Sequence, residues 1–205
     1  MMPGSRAGRR ASRVATLVLA ATLLVPVTAA RASVTTATTV GSYGTRLRYP
    51  AGRQPWLPLA DGQRLQVRSL LNIKRPMRFG DYVWNDLGIP VDGPVRVRVD
   101  LARQMLSVFR DGHEVGTAVI LYGTDNKPTP TGNFPILARA RQHRSSLYDA
   151  AMPYMLRLTH DGVAIHASSV RRGAATHGCI GVPLEFARLL FDQVARGDLV
   201  TIVSR

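Results

Sequence analysis

The sequence is short of cysteine, of lysine and of acidic residues. One cysteine in 205 residues, Cys179, excludes an internal disulfide framework and any Cys₄ or Cys₂His₂ zinc site. No apolar run reaches the roughly 18 residues that a membrane-spanning helix needs. Thirteen acidic residues stand against 27 Lys+Arg, for a net charge of +14. Two of those cations are lysines, Lys74 and Lys127, so the excess reads as a compositional preference for arginine. No Lys/Arg cluster is interleaved with aromatics, which argues against nucleic acid as a partner. What is present, 45% hydrophobic and 20% charged residues, suits a globular domain with an extension.

Part of the charge belongs to the first 32 residues. Arg6, Arg9, Arg10 and Arg13 precede an apolar stretch from Val14 to Val27, and small residues follow at Thr28, Ala29, Ala30 and Ala32. Basic, apolar and small-residue segments in that order predict a secretory signal peptide over 1–32, with Ala30-Arg31-Ala32 fitting the cleavage pattern. The apolar stretch is short for an uncleaved anchor, so no membrane span is expected after cleavage. Removal of the leader takes five arginines and no acid, and the net charge falls from +14 to +9. A basic surface favours anionic neighbours such as cell-envelope polymers.

Residues 33–45 are rich in Thr, Ser, Ala and Gly and read as a flexible lead. Through 46–93 Pro, Gly and aromatics mix without a strong period, and Arg64 to Ile73 suits one helix or one strand. Residues 33–93 are thus an extension preceding a domain at 94–205. From Val95 the pattern sharpens. Val95, Val97 and Val99 alternate with Arg96, Arg98 and Asp100, the period of a half-buried strand. Leu101 to Phe109 and Glu114 to Leu121 predict two more strands around an Asp111-Gly112 turn. Further strands are expected at Asn133–Ala138, Tyr154–Leu158, Gly162–His166 and Leu199–Val203. One helix is expected at Leu184–Ala195, with Pro183 at its start and Gly197 beyond its end. The fold class is mostly β with one C-terminal helix.

Cys179 lies in Thr176-His177-Gly178-Cys179. Its bland reading is a small buried hydrophobe. Gly178 beside it lets the backbone bend and leaves N–H groups uncovered, the raw material of an oxyanion hole. A thiol attacks only as thiolate and needs a base. His166 ends the apolar run Val163-Ala164-Ile165, at a strand end, 13 residues before Cys179. His113 and His160 adjoin turns, and His143 sits in a polar stretch as surface or cleft wall. A base at His166 and nearby amides are expected to lower the thiol pKa. His166, His177 and Cys179 match no usual zinc spacing, so neither metal nor other cofactor is expected.

These residues resemble the catalytic domain of L,D-transpeptidases, the YkuD family of peptidoglycan cross-linking enzymes. That family carries a histidine followed by a small residue, a variable loop, then Ser/Thr-His-Gly-Cys. This chain has His166-Ala167, a short loop, then Thr176-His177-Gly178-Cys179. Lys127-Pro128-Thr129-Pro130-Thr131-Gly132, Met152-Pro153-Tyr154 and Gly197-Asp198-Leu199-Val200 are similar to other family segments. The resemblance covers roughly 94–205 and implies a compact β-sandwich-like fold with the cysteine at the floor of a cleft. It implies Cys179 as nucleophile and His166 as base. The Ala167 carbonyl would orient the imidazole, and Gly178, Cys179 and His177 would line the oxyanion site. Tyr154 falls on the substrate side.

The chain departs from the family pattern at Ala167, where Gly or Ser is common, and at Gly181, where Arg or Asn is usual. Arg171 and Arg172, on the loop between the catalytic elements, are candidates to bind a substrate carboxylate, since guanidinium pairs well with carboxylate. The expected function is an exported cysteine acyl-transferase of the periplasm or cell envelope, acting on peptidoglycan stem peptides. A hydrolase with the same chemistry, or a non-catalytic wall-binding module, are the alternatives.

Overall fold

The computed structural model describes residues 46–124 and 126–204. The expected signal peptide lies outside the described residues. Among the described residues, fourteen strands and one α-helix follow in order. Strands β1 (Arg46–Arg48), β2 (Trp56–Pro58), β3 (Arg64–Gln66), β4 (Ser69–Leu71) and β5 (Tyr82–Trp84) come from the stretch before residue 94. Then come β6 (Val95–Asp100), β7 (Met105–Arg110), β8 (His113–Val119), β9 (Gly132–Pro135), β10 (Ala138–Ala140), β11 (Met155–Arg157), β12 (Ala164–Ala167) and β13 (Ile180–Val182). Helix α1 (Leu184–Gln193) and β14 (Leu199–Val203) close the chain. The mostly-β class with one C-terminal helix is what the sequence predicts.

A large sheet runs β1-β4-β8-β7-β6-β14-β9, with β5 also on β8. A second sheet runs β10-β11-β12-β13, and β2 pairs with β3. The alternating valines of β6 bury Val97 and Val99, and Leu106, Val108, Ile165, Ile180, Val182, Leu190, Val200 and Ile202 join them in one core. Burial of apolar side chains such as these, at about 1.5–3 kcal/mol each, is the main stabilising term. Helix α1 turns Phe186, Ala187, Leu190 and Phe191 inward and packs on β12 and β8. Its last turn ends at Gln193, two residues earlier than the pattern predicts, because Val194 is already extended.

Several expected elements divide. Asn133–Ala138 is not one strand. It breaks after Pro135, which has no N–H for a further ladder bond, and the chain passes from β9 in the large sheet to β10 in the small one. The strand expected from Leu101 starts at Met105, because Asp100 holds the Arg103 amide at 2.9 Å and Gln104 takes a left-handed φ of 57°. Arg64–Ile73 yields two short strands. Val67 and Arg68 between them donate their N–H groups to Pro55 and Gly112, outside either ladder.

The stretch before residue 94 joins the large sheet through a polar cluster. Ser69 on β4 pairs with His113 on β8, and its hydroxyl meets His113 Nδ1 at 2.9 Å. Arg46 on β1 donates to Ser69 Oγ, to the Asn85 carbonyl and to the Glu114 carbonyl. The buried Glu114 carboxylate accepts the Leu71 amide at 3.0 Å. Burial pushes the Glu114 carboxyl above its ordinary range, against the pull of Leu71, Ser107 and Arg46.

A raised folded-state pKa means the native state carries a penalty that is absent at low pH. The penalty grows as pH rises through the unfolded carboxyl value of about 4.3 toward the folded one. Glu114→Gln keeps an acceptor for Leu71 and removes the charge, so its melting temperature should gain on the wild type as pH rises from 4 to 7. Glu114→Ala leaves the Leu71 amide unpaired and should lose about 1–3 kcal/mol in urea titrations at either pH.

Candidate active site

Strands β12 and β13 pair in parallel, with Ile165 opposite Ile180, His166 opposite Gly181 and Ala167 opposite Val182. Alternation along β12 sends Ile165 and Ala167 into the core and puts His166 on the other face, with Ala164. Cys179 immediately precedes β13, one position before the Ile165–Ile180 pair, and packs with Met152, Met155 and Ala164. His166 and Cys179 both line one cleft of about 810 Å³. The parallel register therefore brings together the two residues that the sequence selected.

The turn that presents the thiol is braced from several sides. Gly178 has a φ of 104°, a region that residues with a Cβ rarely adopt. Thr176 Oγ1 donates to the Cys179 carbonyl at 2.5 Å. The buried Thr129 donates its hydroxyl to the Gly178 carbonyl at 2.9 Å and accepts the Gly123 amide at 2.9 Å. Leu121, just beyond β8, exchanges backbone bonds with Gly181 at 2.8 and 2.9 Å. The core of the large sheet thus reaches directly to the base of the turn that carries Cys179. Thr129 lies in a segment that the family resemblance flagged, but its bracing bond spans 49 residues and left no mark in local pattern.

His166 Nδ1 meets the Ala167 carbonyl at 2.9 Å. A carbonyl oxygen only accepts, so Nδ1 carries the proton and Nε2 keeps its lone pair. Ser168 Oγ lies 3.4 Å from the same nitrogen. Gly181 makes room for that hydroxyl, since a Cβ at 181 would stand 2.8 Å from both Ser168 Cβ and Oγ. The place that a Cβ at 181 would occupy is filled by the residue that follows β12.

Burial pushes the Cys179 thiol above its ordinary value. A hydrogen bond from the Ala164 backbone and the charge of Lys127 pull it down, and Asp161 adds to the rise. Burial likewise holds His166 below the usual imidazole range; its bond to Ala167 acts upward and nearby His143 downward. The expectation of an acidified thiol is therefore reversed, because the methionine-lined floor outweighs the donors around it. At rest both partners are neutral, and Sγ donates weakly to the Gly162 carbonyl at 3.8 Å.

The remaining candidate residues separate. His177 is exposed at the cleft, its ring stacked on Tyr148 at 4.5 Å with 16° between planes. Tyr148 sits on the loop between β10 and β11, and its hydroxyl takes a hydrogen bond from Lys127 at 2.9 Å. His143 also lines the cleft. Tyr154 instead packs edge-on against Phe191 of α1, at 5.8 Å. Arg171 and Arg172 are exposed and, like Tyr154, are not among the residues lining the cleft. The cationic lining residues are Lys127 and Arg157, neither of them singled out as a binding group from sequence.

Comparison with known proteins places this geometry in a family. Residues 94–202 match the sequence model of the L,D-transpeptidase catalytic domain, YkuD. The chain belongs to that family. Among solved structures, an L,D-transpeptidase from Stackebrandtia nassauensis is similar at 24% identity and a TM-score of 0.52, over 56% of this chain and 57% of that one. An L,D-transpeptidase from Mycobacterium smegmatis is similar at 24% identity and a TM-score of 0.51, over 54% and 58%. These likenesses show the fold, and the matched part spans less than two thirds of either neighbour. No curated protein matches the chain.

Alkylation rate reports thiolate, so it should titrate above the free-cysteine value of about 8.5 in the unliganded protein. The measurement is the rate of iodoacetamide labelling at Cys179 from pH 6 to 10. A profile that levels off below pH 8 would mean a standing thiolate–imidazolium pair.

Proposed function

We propose that this protein is an exported L,D-transpeptidase that joins peptidoglycan stem peptides through a thioester on Cys179. The observation that carries this reading is the neutral His166, its Nδ1–H held by the Ala167 carbonyl, in one cleft with a half-buried neutral thiol. That is a general base waiting for a nucleophile. The organisation that goes with it is a leader over 1–32, an extension over 33–93 and the catalytic domain over 94–205, acting in the periplasm or cell envelope.

Cys179 Sγ attacks the carbonyl of an L residue whose peptide bond leads to a terminal D residue. As the carbon–sulfur bond forms, the thiol proton moves to His166 Nε2. The negative charge on the carbonyl oxygen is received by the amides of Gly178 and Cys179, with His177 beside them. The carbon–nitrogen bond then breaks, and His166 returns the proton to the departing amine. An acceptor amine attacks the thioester in turn, passes a proton through His166, and releases Cys179 as thiol. Initial neutrality suits this sequence, because charge appears only along the reaction path, where fixed dipoles can stabilise it. Water in place of the amine gives hydrolysis. A wall-binding module without chemistry has no use for a fixed imidazole tautomer beside a thiol.

Incubation of the full chain with a donor tetrapeptide should give a protein mass increased by the acyl tripeptide, mapped to Cys179. Cys179→Ser should form no such adduct and lose turnover by at least about a thousandfold, since an alcohol is a far weaker nucleophile beside an ordinary imidazole. Turnover by the serine variant near the wild-type rate would remove Cys179 from the mechanism.

A further inference from the structure

Two charges of opposite sign line the cleft that holds the thiol. The stem of Lys127 lies along the catalytic turn: a Cβ built on Gly178 would stand 3.8 Å from Lys127 Cγ. Its ammonium is exposed and held by Tyr148, with donors to spare. Asp161 lines the same cleft and stands next to Gly162, whose carbonyl receives the Cys179 thiol. It is exposed, lines the cleft, and makes no hydrogen bond or ion pair with the other described residues. Arg157, the other cation lining the cleft, is occupied by the carbonyls of Thr159 and His160. Among the described residues the cleft therefore offers one available cation and one available anion, each linked to the thiol through a neighbouring residue.

Resting on the transpeptidase reading above, we propose that this polarity sorts the two substrates: the Lys127 ammonium receives the carboxylate of the donor's departing D residue, and the Asp161 carboxylate receives the protonated amine of the acceptor. The donor carboxylate is one residue from the scissile bond, so it must lie close to the sulfur. The acceptor amine must come equally close once the D residue has left. A primary amine is mostly protonated at neutral pH, so a free carboxylate beside the thioester raises its local concentration, whereas water gains nothing from it. The bound ammonium gives one proton to solvent, and the free amine attacks the thioester carbon. The carbon–sulfur bond breaks, and the second proton passes through His166 to the sulfur. Asp161 is thus a specificity residue that favours transfer over hydrolysis. Both charges also act on the thiol itself, Lys127 downward and Asp161 upward, which agrees with their lining the cleft that holds it.

The test measures how one thioester divides between two products. Full-length protein is given a donor tetrapeptide with a blocked side-chain amine and a separate acceptor peptide bearing one primary amine. The ratio of cross-linked to hydrolysed product does not depend on how fast the thioester forms. Asp161→Asn should lower that ratio about tenfold, Asp161→Glu should restore most of it, and added salt should lower it in the wild type. Lys127→Gln should raise the donor KM about tenfold for a peptide ending in a free carboxylate and leave it unchanged for the same peptide amidated at its terminus. An unchanged ratio in Asp161→Asn, or in the wild type across salt should that variant not fold, overturns the acceptor assignment. Equal KM changes for free and amidated donors overturn the donor assignment. If the wild type forms no acyl adduct at all, it is the transpeptidase reading that fails.

Discussion

A carbonyl oxygen cannot donate a hydrogen bond, and the chemistry proposed for this cleft follows from that constraint. The Ala167 carbonyl holds the proton of His166 on Nδ1, at 2.9 Å, and so leaves Nε2 as the basic nitrogen. Because the orienting group is backbone, the side chain at 167 is released for packing, and the alanine there sits buried in the core. Its identity, a departure from the family's habitual Gly or Ser, costs the site nothing. Ser168 adds a second polar contact at the same nitrogen, in space that Gly181 leaves open. The end of β12 and the residue after it thus supply the proposed base, its orienting carbonyl and a supporting hydroxyl within three consecutive residues.

The parallel pairing of β12 with β13 converts this local order into a site. It fixes Cys179 on the face that carries His166, and the backbone bonds between Leu121 and Gly181 tie the pair to the core of the large sheet. Packing on Met152 and Met155 withdraws the thiol from water. Partial burial of each group favours its neutral form, and on the proposed reading this protects the thiol from adventitious exchange and postpones charge separation until a substrate carbonyl is in place. The rim of the cleft has the opposite character. Lys127, Tyr148, His177 and Asp161 make it polar and charged where peptide substrates would enter.

What was legible in the sequence was what local pattern encodes. The valine alternation of β6, the Asp111-Gly112 turn and the apolar face of α1 each come from neighbours in the chain. His166 could be chosen because an apolar run delivered it to a strand end, and Cys179 because it stood alone beside a glycine. The strand β13 was missed, since three residues with a central glycine show no alternation. The joining of β4 to β8 was also missed, because Ser69 and His113 are 44 residues apart and meet only through the folded register. The thiol's pKa was misjudged for a related reason. Nearby donors can be read from a motif, whereas the burial that outweighs them is contributed by Met152 and Met155, far along the chain. Arg171 and Arg172 seemed apt by charge and position, yet the cleft is lined instead by Lys127, on a loop that sequence distance hides.

The central claim is that the resting site holds a neutral imidazole protonated on Nδ1 beside an un-ionised thiol. Nitrogen-15 NMR of histidine-labelled protein reads this directly, with the His166 signals assigned by their loss in His166→Gln. At pH 7 the account predicts a neutral ring with the proton on Nδ1, titrating below the ordinary histidine value of about 6.5. An imidazolium at pH 7, or a neutral ring carrying its proton on Nε2, would contradict it.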